Sequence, residues 1–187
     1  MAEAEAERVL AFWFDGPAKG KHYWCPGGPQ EQAQLDALIS AEFAPLIEKA
    51  VAGELEQTWT NTARGSLALI LLIDQFCRNV FRGTPQAFAH DALAQRWCLL
   101  GMERGQPAEL ASDYEREFFH MPLFHAENVD LLQKALGLLD EGCRFSWGVE
   151  SYARKRLEEM EQFGRFPSRN AARGLASTAS ERAAGYD

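Results

Sequence analysis

The chain has 187 residues, enough for one domain that buries roughly 70% of its unfolded surface. Its 27 acidic and 19 basic residues give a net charge of −8, which argues against nucleic acid and against an anionic membrane surface as partners. The acidic start, Met-Ala-Glu-Ala-Glu-Ala-Glu-Arg, and a longest apolar run of only Leu67 to Ile73, far below the ~18 residues of a membrane span, indicate a cytoplasmic protein.

No segment sustains the period-two alternation of a strand, so the sequence reads as helices throughout. Ala2 to Phe14 forms a first amphipathic helix, ended by Asp15-Gly16-Pro17. Residues 15 to 30 hold three Pro and four Gly with His22, Tyr23, Trp24 and Cys25, the kind of long irregular loop that often carries function. Gln30 to Ala52 is helical, with a kink expected before Pro45. Thr62 to Arg82 is a buried helix, and Gly83-Thr84-Pro85 then opens another that runs to about Arg104, with Thr84 as N-cap. Ser112-x-x-Glu115 is a capping box for a short helix expected to stop near His120, because Pro122 disfavours helix in Met121. Further helices cover roughly Phe124 to Asp140 and Val149 to Gln162. The expected organisation is a single all-α domain over residues 1–175, built of antiparallel helical hairpins, with a partly disordered tail at 176–187.

Cys25, Cys77, Cys98 and Cys143 are widely separated, with no Cys-x-x-Cys pair, and read as reduced thiols. Cys77 reads as a buried structural thiol. The five tryptophans, Trp13, Trp24, Trp59, Trp97 and Trp147, read as helix-packing anchors.

The buried helix carries the best candidate site. Leu67 to Ile73 cover every direction at 100° per residue, whereas Asp74, Gln75, Arg78, Asn79 and Arg82 fall within one arc of about 140° at the same pitch. Charges on a buried helix require partners or a ligand. Two other segments mix aromatics with polar groups in the same way: Phe118-Phe-His-Met-Pro-Leu-Phe-His-Ala-Glu127 and Phe163-Gly-Arg-Phe-Pro-Ser-Arg-Asn170. One reading joins them into a pocket for a small anionic metabolite, in which Arg78, Asn79, Arg82, Arg165, Arg169 and Asn170 bind carboxylate or phosphate. If it is an enzyme, Asp74 orients the arginines or acts as a base, and His125 with Glu127 forms an acid–base pair. The other reading makes the same residues a buried network that ties helices together, leaving a helical-repeat module whose exposed groove takes a peptide.

Glu117-Phe-Phe-His120 has the Glu-x-x-His spacing of di-iron bundles, but no second such element exists. A mononuclear site from His120, His125 and Glu127 is the remaining possibility for a metal. No metal and no cofactor is assigned, and no nucleotide-loop, zinc-protease or serine-hydrolase motif occurs.

Asp74-Gln-Phe-Cys-Arg-Asn-Val-Phe-Arg-Gly-Thr84, Phe118-Phe-His-Met-Pro-Leu-Phe-His-Ala-Glu127 and Phe163-Gly-Arg-Phe-Pro-Ser-Arg-Asn170, together with Trp59 and Ala87-Phe-Ala-His-Asp91, resemble the bacterial domain-of-unknown-function family 924. The resemblance spans nearly the whole chain. It implies an all-α fold similar to a tetratricopeptide-like array and implies no activity. The chain departs from the family pattern at Cys77, where Pro is usual, at Ala126, in place of Ser, and at Ser168, in place of His. Arg156 also stands near where another His often occurs.

Overall fold

Thr62 accepts a hydrogen bond from the Gly65 N–H and starts the helix around which the others assemble. The computed structural model describes residues 2–16 and 28–186; residues 17–27, with His22, Tyr23, Trp24 and Cys25, lie outside the described residues. In chain order the helices are α1 (Ala2–Phe14), α2 (Pro29–Val51), α3 (Glu56–Trp59), α4 (Ala63–Ile70), α5 (Cys77–Val80), α6 (Asp91–Glu103), α7 (Asp113–Phe124), α8 (Val129–Asp140), α9 (Val149–Phe163) and α10 (Ala179–Ala183). Short 3-10 turns at Pro85–Phe88, Gln106–Glu109 and Pro167–Arg169 join them, and the described residues contain no strand.

Several boundaries differ from the sequence expectation for physical reasons. The buried helix is not uniform: α4 passes into a π-helical turn, Leu71–Phe76, before α5. Pro122 does not end its helix as expected, whereas Pro45 leaves α2 continuous, as the helical reading of 30–52 has it. Pro45 lies inside α2, with Phe43, Leu46 and Ile47 buried around it, and Pro122 lies inside α7, where Met121, Leu123 and Phe124 are fully buried. Burying such side chains stabilises by roughly 1.5–3 kcal/mol each, enough to offset the lost hydrogen bond of an internal Pro. Thr84 makes no side-chain cap; its hydroxyl donates to the Phe81 carbonyl instead, and the following α-helix begins only at Asp91. Asn128 caps α8 at the Leu131 N–H, so that helix starts at Val129 rather than Phe124. The Ser112–Glu115 capping box of α7 forms in both directions.

Every residue from Leu67 to Ile73 is buried, as their all-round apolar pattern requires. Against this axis pack α1, α3, α6 and α7, while α2 lies along the π-turn and α5. Aromatic edges close the junction: Phe43 meets Phe76 at 5.0 Å between centroids, and Trp13 meets Phe76 and Phe118 at 5.4 Å each. From α6 onward, helices that follow one another also pack on one another, α6 on α7, α7 on α8 and α8 on α9. Trp13, Trp59 and Trp97 are buried as anchors, but Trp147 is not: it is fully exposed just before α9. Beyond residue 176 the segment read as a tail carries α10, capped by Thr178 and Glu181. Among the described residues no helix is long and apolar enough to cross a membrane.

Candidate functional site

Asp74 sits in the π-helical turn and has no solvent exposure. Its carboxylate is fully engaged. His125 Nδ1 lies 2.9 Å from both oxygens, Arg78 donates to Oδ1 at 3.1 Å, and the Gln75 amide donates to Oδ2. Burial alone would raise the Asp74 carboxyl, but His125, Arg78 and the bonds from His125 and Gln75 hold it well below the usual carboxylate range. Burial pushes His125 the other way, below its ordinary value, against the opposing pull of Asp74. A ring nitrogen that faces a carboxylate acceptor must carry a proton, so His125 is protonated on Nδ1. The Arg78 Nε–H, 3.3 Å from the same nitrogen, is therefore a close neighbour and not its donor.

Arg78 continues the network outward. It donates to the Ala87 carbonyl at 3.0 Å and meets Asp91 Oδ1 at 2.9 Å. The other Asp91 oxygen accepts from Arg169 at 3.0 Å, so one carboxylate joins the first and third motifs. Arg169 also donates to the His125 carbonyl at 2.9 Å and lies 3.7 Å from Glu127. Glu127 accepts from the Phe166 N–H at 2.8 Å and pairs with Arg173 at 2.6 Å. The guanidinium groups of Arg78, Arg169 and Arg173 all face the Phe88 ring, at 5.4, 4.5 and 5.5 Å. Three arginines, Arg78, Arg169 and Arg173, thus face three carboxylates, Asp74, Asp91 and Glu127, around His125.

The remaining predicted residues belong elsewhere. Asn79 and Arg82 turn to α2, where Asp36 accepts from Asn79 at 2.8 Å and from Arg82 at 2.6 and 3.1 Å. The helix ends at Val80, so the i, i+4, i+8 relation of Asp74, Arg78 and Arg82 fails at its last step. Arg165 and Asn170 turn to α10: Glu181 takes a two-pronged bond from Arg165 at 2.6 and 2.8 Å and one from Asn170 at 3.2 Å. The four arginines do not converge, and each already has a carboxylate partner. His125 and Glu127 do not form a pair with each other either, since the imidazole faces Asp74 and Glu127 faces arginine.

The carboxylates that hold these arginines have no role in the sequence reading: Asp91 enters it only within the family resemblance, and Asp36 and Glu181 do not enter it at all. Asp91 looks like an ordinary first-turn acid of α6, and Asp36 like one polar residue among several on a surface helix; only tertiary packing distinguishes them. Two departures from the family pattern touch: Arg156 donates to the Ser168 hydroxyl at 3.0 Å while holding Glu159 at 2.6 Å. Burial pushes the Cys77 thiol up to about 12, which leaves it a packing group. Of the Glu117/His120 pair, Glu117 accepts from the Ser146 N–H, and burial drives His120 down to about 4, against the Arg116 backbone carbonyl. Among the described residues no three His, Cys, Asp or Glu side chains are arranged to hold a metal ion.

The family described as "Bacterial protein of unknown function (DUF924)" matches residues 9–184. The structure of the protein of unknown function ATU0120 from Agrobacterium tumefaciens is similar at 32% identity and a TM-score of 0.84, with 98% of each chain covered. No curated protein matches the chain. Nearly the whole length is matched, from α1 to the C-terminal helix, and the chain belongs to the DUF924 family.

Proposed function

We propose that the charged motifs are structural, and that the chain is an all-α interaction module whose working surface lies outside them. The observation that carries this is the pairing of Arg78, Arg82, Arg165 and Arg169 with Asp74 and Asp91, Asp36, Glu181, and Asp91 and Glu127. Arginines so paired have no free fork for a carboxylate or phosphate ligand, and breaking the buried pairs of Arg78 and Arg169 to bind one is costly. The serial packing of α6, α7, α8 and α9 supports a tetratricopeptide-like arrangement of hairpins, the architecture expected of a helical module that takes a peptide. Cys77, Cys98 and Cys143 are free thiols, which suits a reducing, cytoplasmic setting.

A second reading is favoured by one observation, the π-helical turn that carries Asp74, because such turns recur at functional sites. In it Asp74 orients His125 as the acid–base group of an enzyme acting on a small anionic metabolite. Any anion held there must displace a carboxylate from Arg78 or Arg169. Thermal unfolding in millimolar phosphate or a dicarboxylate, against sodium chloride of matched ionic strength, separates the two. The structural reading predicts equal midpoints. An anion-specific gain that disappears in Arg169→Ala would overturn it in favour of the enzymatic one, since a ligand that binds only the folded state stabilises it.

A further inference from the structure

The stretch from Ala176 to Tyr186, which carries α10, meets the rest of the domain without its backbone. Among the described residues every backbone–backbone hydrogen bond it makes is internal, those of Arg182, Ala184, Gly185 and Tyr186 all returning to residues 178–182. Its one buried side chain is charged: Glu181 is 1% exposed, whereas Ala176, Ala179, Ala183 and Ala184 lie in solvent. A stretch that buries no aliphatic group gains little from leaving water. A five-residue helix is not stable alone, so α10 lasts only while it is docked.

Two polar catches hold it in place. Glu181 accepts from Arg165 Nε and Nη2 at 2.6 and 2.8 Å and from the Asn170 amide at 3.2 Å, and the same amide donates to the Ser177 hydroxyl at 3.2 Å. Five residues on, the Tyr186 hydroxyl donates to Glu159 at 2.5 Å, with its ring edge-on to Phe163 at 5.9 Å and facing the Lys155 ammonium at 5.7 Å. Charge-assisted bonds of this kind are strong one by one, but they are few, and water replaces them when the stretch lifts. The contiguous hydrophobic core includes no residue beyond Ala153, so lifting leaves it intact.

We propose that residues 176–186 are a strap that opens and closes as one unit while the domain stays folded, with the Glu181 carboxylate as its catch on Arg165 and Asn170. Open, the strap leaves these two residues of the third motif without their carboxylate and bares Glu159; closed, it fills that place itself. Local opening of a segment with few buried contacts costs far less than global unfolding. The inference is independent of how the Asp74 network is read.

Hydrogen exchange of the full chain, read amide by amide, tests it. The amides of Arg182, Ala184 and Tyr186, bonded only within the strap, should exchange more slowly than in an unfolded peptide yet at least roughly a hundredfold faster than those of α4. Glu181→Gln removes the charge, but Gln still serves the Thr178 capping box. It should speed the strap amides at least about tenfold and leave those of α4 and α8 unchanged. Arg165→Ala should do the same, and the double variant should exceed either single one by no more than about twofold, since both break one catch. Strap amides as slow as those of α4, or as fast as in an unfolded peptide, would overturn the proposal. So would a Glu181→Gln chain whose strap amides are unchanged or whose α4 amides speed up equally, and so would a double variant in which the two effects multiply.

Discussion

Replacing Asp74 with Asn is expected to lower folding stability by about 3–5 kcal/mol, the usual cost of breaking a buried ion pair from one side. The amide keeps the shape of the carboxylate but removes the charge that Arg78 and His125 face at 3.1 and 2.9 Å. For a chain of this length that is a fall of roughly 10 °C or more in unfolding midpoint. The pH dependence fixes the sign independently. Because the folded Asp74 pKa lies below its ordinary value, its contribution is fully present above the unfolded value of about 3.9 and is lost as pH falls further. Denaturant curves for wild type and Asp74→Asn should therefore be far apart at neutral pH and draw together in acid. A neutral-pH difference below roughly 1 kcal/mol would mean that Asp74 is not clamped as described.

Gly65→Ala is the second large effect, expected at about 3 kcal/mol. A Cβ at this position would collide with the Trp59 carbonyl oxygen and approach the Thr62 hydroxyl to 3.0 Å. That hydroxyl is the cap of α4, and the carbonyl is backbone, so neither can move aside cheaply. The helix start must shift, and with it the register of the axis that leads into the Asp74 turn. Gly137 in α8 is the contrasting control, because a Cβ there meets nothing within 4 Å. Gly137→Ala should instead stabilise, by roughly 0.5–1 kcal/mol, through helix propensity. Equal losses in the two variants by urea denaturation would contradict the close approach at Gly65.

What the sequence disclosed follows from how local each signal is. Caps at Thr62, Ser112 and Asn128 and the all-round apolar run at Leu67–Ile73 are written within a turn or two, and all appear in the fold. The caps of Thr62 and Asn128 were not singled out as such, although both residue types invite it. Pro122 misled because tertiary burial around it outweighs a local backbone preference. For the site, the meeting of Asp74, Arg78, His125 and Arg169 was legible from the need of buried charges for partners. The divergence of Arg82 and Arg165 was not, since it depends on Asp36 and Glu181, acids that resemble any others on helix surfaces. The exposure of Trp147 was likewise invisible, because a tryptophan before a helix has the same spelling whether it packs inward or stands in solvent.

Asp74 and Arg169 belong to one closed network, joined through Arg78 and Asp91. A double-mutant cycle on folding stability, with Asp74→Asn and Arg169→Ala, measures that most directly. Linked through Arg78, Asp91 and His125, the pair should show a coupling of about 1 kcal/mol or more, whereas Asp74→Asn with Arg165→Ala should be additive within about 0.5 kcal/mol. Additivity in the Asp74/Arg169 cycle as well would contradict the network and leave two unconnected ion pairs in its place.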